Sequence, residues 1–275
     1  LCFWEEYGDE NTLGNKTEVI DEIYAELDPE KLFSDLLKAN NKYTVGYACR
    51  RLADFDAYDY LGDILELSKS KNRDVAYNAA MALSRYGYAE GVADFIARIE
   101  NDKKYSFRLV NELFDNFSAD KAELASMVFE KCEEYMKINV IKAISDYCLF
   151  EFEPMYIEGM SSKNPAMRIA CVKALGDLAN PKNEQLLITA TYDKDWVVRS
   201  SAVKGLGKID TPRSLEGIKE AIKDKEWWVR QAAAGALINR NVSISDIEDI
   251  LGGYDKYAAD AVKYALYRSV DIKEG

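Results

Sequence analysis

A chain of 275 residues that is 48% apolar and 31% charged can bury a continuous core, and its composition fits neither disorder nor a fibre. Its net charge of −12 argues against nucleic acid as a partner, because phosphate binding needs a basic stripe. No histidine occurs anywhere, which removes the commonest general base and metal ligand, so no catalytic, metal or cofactor site is expected.

The sequence given starts at Leu1-Cys2-Phe3-Trp4, four uncharged residues expected to cap the first helix; a truncated membrane anchor or export signal upstream would leave a similar stub. Residues 1 to 40 carry eleven Asp and Glu against three Lys, so an acidic cap over 1–28 is expected before a single repeat domain over 29–270. No apolar run reaches the roughly 18 residues of a membrane span. The five cysteines, at 2, 49, 132, 148 and 171, are odd in number and form no Cys-x-x-Cys pair. That pattern suits a reducing, cytoplasmic setting better than zinc or a disulfide framework.

Along the chain, Leu52, Leu83, Phe114, Ile144 and Leu175 recur at steps of 31, 31, 30 and 31 residues, and the column continues through Leu206, Leu237 and Leu266, the last step being 29. A second apolar column runs Phe55, Tyr86, Phe117, Tyr147, Leu178 and Ile209. A third, at 82, 143, 174, 205, 236 and 265, is Ala or Gly throughout, which lets neighbouring helices approach closely. All eight residues of the first column are therefore expected in the core. Within a unit, Val198, Ala202, Leu206 and Ile209 fall at helical spacing, and no stretch alternates with period two, so the expected fold is all-α without a sheet. Pro29, Pro154, Pro165, Pro181 and Pro212 each read as helix starts. Gly176 and Gly207 are expected near helix ends, where a missing side chain eases reversal.

The unit is clearest late in the chain. Asn164-Pro165-Ala166-Met167-Arg168 through Leu175-Gly176 recurs from Asp195-Trp196-Val197-Val198-Arg199 to Leu206-Gly207, and again from Glu226-Trp227-Trp228-Val229-Arg230 to Leu237. This pattern resembles the short HEAT-like repeat of phycobilin lyase subunits. The resemblance implies two antiparallel helices per repeat, about eight repeats, and a right-handed α-solenoid whose concave face is lined by second helices. Deoxyhypusine hydroxylase, similar in repeat pattern, holds iron with His-Glu pairs that this chain lacks. The HEAT-like alkylpurine DNA glycosylases use aromatics and an acid in a basic cleft, which Trp196, Trp227, Trp228 and Asp195 echo, against the acidic charge balance.

Three sets of residues carry the functional reading. Arg168, Arg199 and Arg230 are expected to form a structural ladder, with Asp195 and Glu226 as its acids and as helix caps. Trp196 and Trp227 are expected to pack in the seams, with Trp228 divided between packing and an exposed platform. Two register positions then define a candidate partner-binding groove. One holds Tyr43, Tyr105, Tyr135, Trp228 and Tyr257, and the other holds Arg50, Lys142, Lys173 and Lys204. Such a face would grip an acidic, partly apolar peptide, whereas the plainer reading is inter-repeat packing and a solvated surface. The expected function is a monomeric, non-catalytic scaffold for a partner protein or acidic peptide. A lyase-type or chaperone-like subunit, or a soluble domain of a membrane-anchored protein, is the alternative.

Overall fold

The computed structural model describes residues 28–100, 107–240 and 242–271. The acidic cap and the Leu1-Cys2-Phe3-Trp4 stub lie outside the described residues. Within them the chain forms sixteen α-helices, four single turns of 3-10 helix and no strand, as the helical spacing predicts. It divides into two compact units, one ending at Lys131 and the other beginning at Cys132.

The first unit contains α1 (Pro29–Leu36), α2 (Lys42–Asp54), α3 (Leu61–Ser68), α4 (Arg73–Arg85), α5 (Ala89–Ile99), α6 (Phe107–Asn116) and α7 (Lys121–Lys131). The second contains α8 (Glu134–Ile144), α9 (Glu153–Gly159), α10 (Pro165–Leu178), α11 (Glu184–Ala190), α12 (Trp196–Leu206), α13 (Pro212–Ala221), α14 (Trp227–Asn239), α15 (Ile244–Leu251) and α16 (Lys256–Asp271). Even-numbered helices are the second helices of the repeat. In the first unit α2, α4 and α6 pack in sequence order, and in the second unit α8, α10, α12, α14 and α16 do the same. Each of α3, α9, α11, α13 and α15 packs on the second helix that follows it.

Local chemistry sets the helix starts. Asn41, Asn72, Asn164 and Asp195 each turn a side-chain oxygen to a backbone N–H in the first turn of the helix they precede, satisfying donors that have no partner within the helix. Thr211 and Ser214 do so reciprocally at α13. Pro29, Pro165 and Pro212 open α1, α10 and α13, Pro181 opens a 3-10 turn, and Pro154 is the second residue of α9. None interrupts a helix.

Leu52, Leu83, Phe114, Ile144, Leu175, Leu206 and Leu237 are completely buried. Leu266 is 37% exposed, contrary to the expectation from its column. It sits on α16, the last described helix. The glycine expectation holds at Gly207, the C-cap of α12, and Gly176 lies two residues before the end of α10 but serves packing as well. Gly176 is inside α10, and a Cβ built there would lie 2.6 Å from the Cα of Gly205 on α12. Its absent side chain serves the close approach of two helix backbones, as the small-residue column predicts for Gly205.

Candidate partner-binding surface

Three successive second helices of the second unit, α12, α14 and α16, carry aromatic side chains in their first turns. Asp195 Oδ1 accepts from the Val197 amide at 2.8 Å and opens α12 at Trp196. Asp255 Oδ1 accepts from the amides of Tyr257 and Ala258 at 3.0 and 3.1 Å and opens α16. Between them, α14 opens on Trp227-Trp228, where Glu226 makes no side-chain cap, contrary to expectation. Trp228 stacks on Trp196 with ring centroids 6.5 Å apart and planes at 23°, and meets Trp227 edge-on at 4.5 Å. The three indoles nevertheless stay 40%, 46% and 58% exposed at Trp196, Trp227 and Trp228. They bridge the α12–α14 seam from outside instead of plugging it, so the packing expected of Trp196 and Trp227 is only half of their role.

Two shallow clefts continue this surface between α14 and α16. One, of about 430 Å³, is lined by Trp227, Arg230, Gln231, Tyr257, Asp260 and Tyr264. Its neighbour, of about 340 Å³, is lined by Trp227, Trp228, Ile238, Tyr264 and Arg268 among others. Tyr257 and Tyr264 are 72% and 50% exposed, so the aromatic surface runs unbroken in kind from α12 to α16.

The arginine ladder is structural at two rungs and different at the third. Arg168 donates from Nε and Nη2 to the two carboxylate oxygens of Asp193 at 2.9 and 3.0 Å, and from Nη1 to the Ser162 carbonyl at 2.9 Å. Arg199 repeats this on Asp224, at 2.7 and 2.9 Å, with Nη1 on the Asp193 carbonyl at 2.9 Å. The acids are thus two residues earlier than the expected Asp195 and Glu226. An acid three residues before the helix can turn to the preceding guanidinium, whereas the acid immediately before the helix faces its amides. Burial pushes Asp193 and Asp224 upward, but the arginine hydrogen bonds outweigh it and hold both below the usual carboxylate range. Both carboxylates line a polar cleft of about 440 Å³. Arg230 keeps the loop-carbonyl contacts, to Asp224 at 2.8 Å and Lys225 at 3.0 Å, but instead of an aspartate it has the Tyr257 ring, 5.3 Å from the guanidinium carbon.

The residues singled out from the sequence fall into separate groups. Trp228 and Tyr257 belong to the aromatic surface just described. Tyr135, on α8, is 65% exposed. Lys142, Lys173 and Lys204 hold equivalent positions on α8, α10 and α12; Lys142 is half-buried, and the other two are exposed. Lys173 is not a free positive charge: its Nζ donates to Ser145 Oγ at 2.8 Å and lies 3.3 Å from both Asp146 and Asp177. Burial works against its charge, yet Asp177 and Asp146 raise its pKa above the usual lysine value. Tyr43 and Arg50 lie in the first unit, on α2; Tyr43 is 69% exposed under Lys42 Nζ, and Arg50 lies 5.9 Å over the Tyr77 ring. Tyr105 lies outside the described residues. Sequence reasoning missed Tyr264 and the open side of Arg230; the signal for the latter was the short final step of 29 residues.

Comparison with known proteins agrees with the repeat. Residues 153–238 match the HEAT repeats family, over the segment that contains Arg168, Arg199 and Arg230. No curated protein matches the chain. Among solved structures, YibA of Escherichia coli is similar at 16% identity and a TM-score of 0.45, over 95% of this chain and 98% of YibA. The complex of CpcE and CpcF of phycocyanin lyase from Nostoc matches at 14% and 0.39, over 86% of this chain and 94% of that one. Human deoxyhypusine hydroxylase matches at 16% and 0.35, over 77% and 84%. The described residues gather no metal-binding group of three or more Cys, Asp or Glu, and no described helix is long and apolar enough to cross a membrane.

Proposed function

We propose that this protein is a non-catalytic binding scaffold, and that it holds a partly apolar, acidic segment of a partner protein on the exposed face of its second helices. The observation that carries this reading is the Trp196, Trp228 and Trp227 cluster, three contacting indoles that remain about half exposed. Burying such surface is strongly favourable, and tryptophan is enriched among residues that dominate interface energies. Tyr257 and Tyr264 extend the anchor surface toward the last helix. Tyr135, Lys142, Lys173 and Lys204 flank it on α8, α10 and α12, with the lysines supplying less net positive charge than their spacing suggests, because Lys173 already faces two aspartates. Tyr43 and Arg50 occupy the same register in the first unit, as does Tyr105 in the sequence.

A random-peptide display selection on the purified chain, followed by calorimetry with the selected peptides, tests the reading. Selected peptides should carry apolar side chains beside Asp or Glu, and Trp228→Ala should weaken them at least about tenfold while helicity is retained. Failure to select any peptide, or binding indifferent to both Trp228→Ala and Trp196→Ala, would overturn it.

A further inference from the structure

The third rung of the arginine ladder lacks an acid for a reason that can be read from the backbone. Asp193 stands three residues before Trp196, the first residue of α12, and Asp224 stands three before Trp227, the first residue of α14. The corresponding position before Lys256, the first residue of α16, is Gly253. A Cβ there would lie 2.7 Å from the Asp249 carbonyl oxygen, so the local backbone has no room for a side chain. Asp255, the nearest acid in sequence, uses Oδ1 on the amides of Tyr257 and Ala258.

Arg230 is consequently held on one edge only. Nη1 grips the carbonyls of Asp224 and Lys225 and fixes the guanidinium, while Nε is buried and has no hydrogen-bond partner. No carboxylate among the described residues pairs with this arginine. At the two earlier rungs, the same Nε and Nη2 edge receives both oxygens of a carboxylate. A buried donor without an acceptor is destabilising, so a ligand that supplied the acceptor would gain from relieving it. The edge belongs to a side chain that lines the 430 Å³ cleft, together with Trp227, Tyr257 and Tyr264.

We infer that the cleft between α14 and α16 is a carboxylate-binding subsite, in which the Nε and Nη2 edge of Arg230 receives a ligand carboxylate in the place that Asp193 and Asp224 fill for Arg168 and Arg199, while the surrounding aromatic rings take an apolar group next to it. The ligand class is an aromatic or aliphatic carboxylate, as presented by an acidic side chain or a chain terminus of a partner peptide. Planar, two-point recognition is what a guanidinium offers and an ammonium does not. Asp260 also lines the cleft and opposes anionic ligands, the more strongly the more negative charge they carry, which favours a singly charged group. The inference rests on the scaffold reading for its biological use, but not for its chemistry.

The probes are phenylacetate and its neutral isostere phenylacetamide, titrated into the full chain while the arginine Nε–H and tryptophan indole N–H resonances are followed by NMR. Phenylacetate should shift the Arg230 Nε–H saturably, and phenylacetamide should bind about tenfold or more weakly, the discrimination expected of a charge-assisted hydrogen bond. In Arg230→Lys, which keeps the charge and loses the fork, the indole shifts of Trp227 and Trp228 should require about tenfold more phenylacetate. Equal binding of the two probes, or full binding by Arg230→Lys, overturns the subsite. So does binding that appears only in Asp255→Asn, since that would mean Asp255 closes the fork in solution. Peptides selected through Trp228 that ignore Arg230 would sink the subsite and leave the scaffold standing; phenylacetate binding without any selectable peptide would do the reverse.

Discussion

Asp224 receives Arg199 through two hydrogen bonds, at 2.7 Å from Nε and 2.9 Å from Nη2, and the same aspartate offers its backbone carbonyl to Arg230 at 2.8 Å. One residue therefore ties the second helix before it to the second helix after it. The side chains of Arg199 and Asp224 are 7% and 12% exposed, so removing one partner strands a charge in a poorly solvated place. Asp224→Ala should cost about 3 kcal/mol for that reason, and more than Arg230→Ala, whose guanidinium has no charge partner to strand. Urea unfolding of Asp224→Ala, Arg199→Ala and the double variant checks it: the double should cost clearly less than the sum, and strict additivity would contradict the pairing.

The ladder also sets a pH dependence. Because Asp193 and Asp224 titrate below the usual carboxylate range when folded, their contribution to stability is complete above their unfolded value, about 3.9, and is lost as pH falls through the lower folded value. Unfolding free energy should therefore decline below about pH 4, and the Asp193→Asn, Asp224→Asn double variant should start less stable at neutral pH and decline less steeply in that window. Urea midpoints taken across the acid range read both curves. Parallel curves would mean that the two acids are not perturbed.

What the sequence disclosed and what it hid have physical causes. The seven fully buried residues from Leu52 to Leu237 were legible because each repeat presents the same inner face to the next, so one step length propagates through the core. Leu266 broke the rule because spacing gives a residue's register and not how far the surrounding helices cover it. The ladder arginines were legible and their acids were not, since Asp193 and Asp195 both precede α12 and only the loop path decides which turns back to Arg168. The tryptophans were found by register, but helical spacing gives a direction and not a covering. Their contact with one another, and the gap left at Gly253, required coordinates.

Thiol reactivity should separate the cysteines sharply. Burial pushes the thiols of Cys49 and Cys171 up to about 12, so almost no thiolate exists at either near neutrality, while Cys148 is exposed. With an aromatic disulfide reagent at about pH 8, Cys148 should be labelled in the native state and Cys49 and Cys171 only after unfolding. Peptide mapping by mass spectrometry distinguishes the sites. Native labelling of Cys171 at a rate matching Cys148 would mean that the α10 core opens far more readily than its packing implies.

Two glycines of the second helices should respond to alanine with opposite signs. At Gly176 the new methyl would sit 2.6 Å from the Cα of Gly205, a backbone atom that cannot rotate away, so α10 and α12 must separate. Overpacking of this kind costs about 1 to 3 kcal/mol, and the rungs at Arg168 and Arg199 would be stretched along with the helices. Gly235, inside α14, has open space where its Cβ would be. Alanine there should stabilise by roughly 0.5 to 1 kcal/mol, because glycine carries the larger loss of backbone freedom on folding. Thermal unfolding of the two variants side by side is decisive: a fall for Gly176→Ala with a rise for Gly235→Ala supports helices packed backbone to backbone at one seam only. A tolerated Gly176→Ala would show that α10 and α12 do not meet at Gly176 and Gly205.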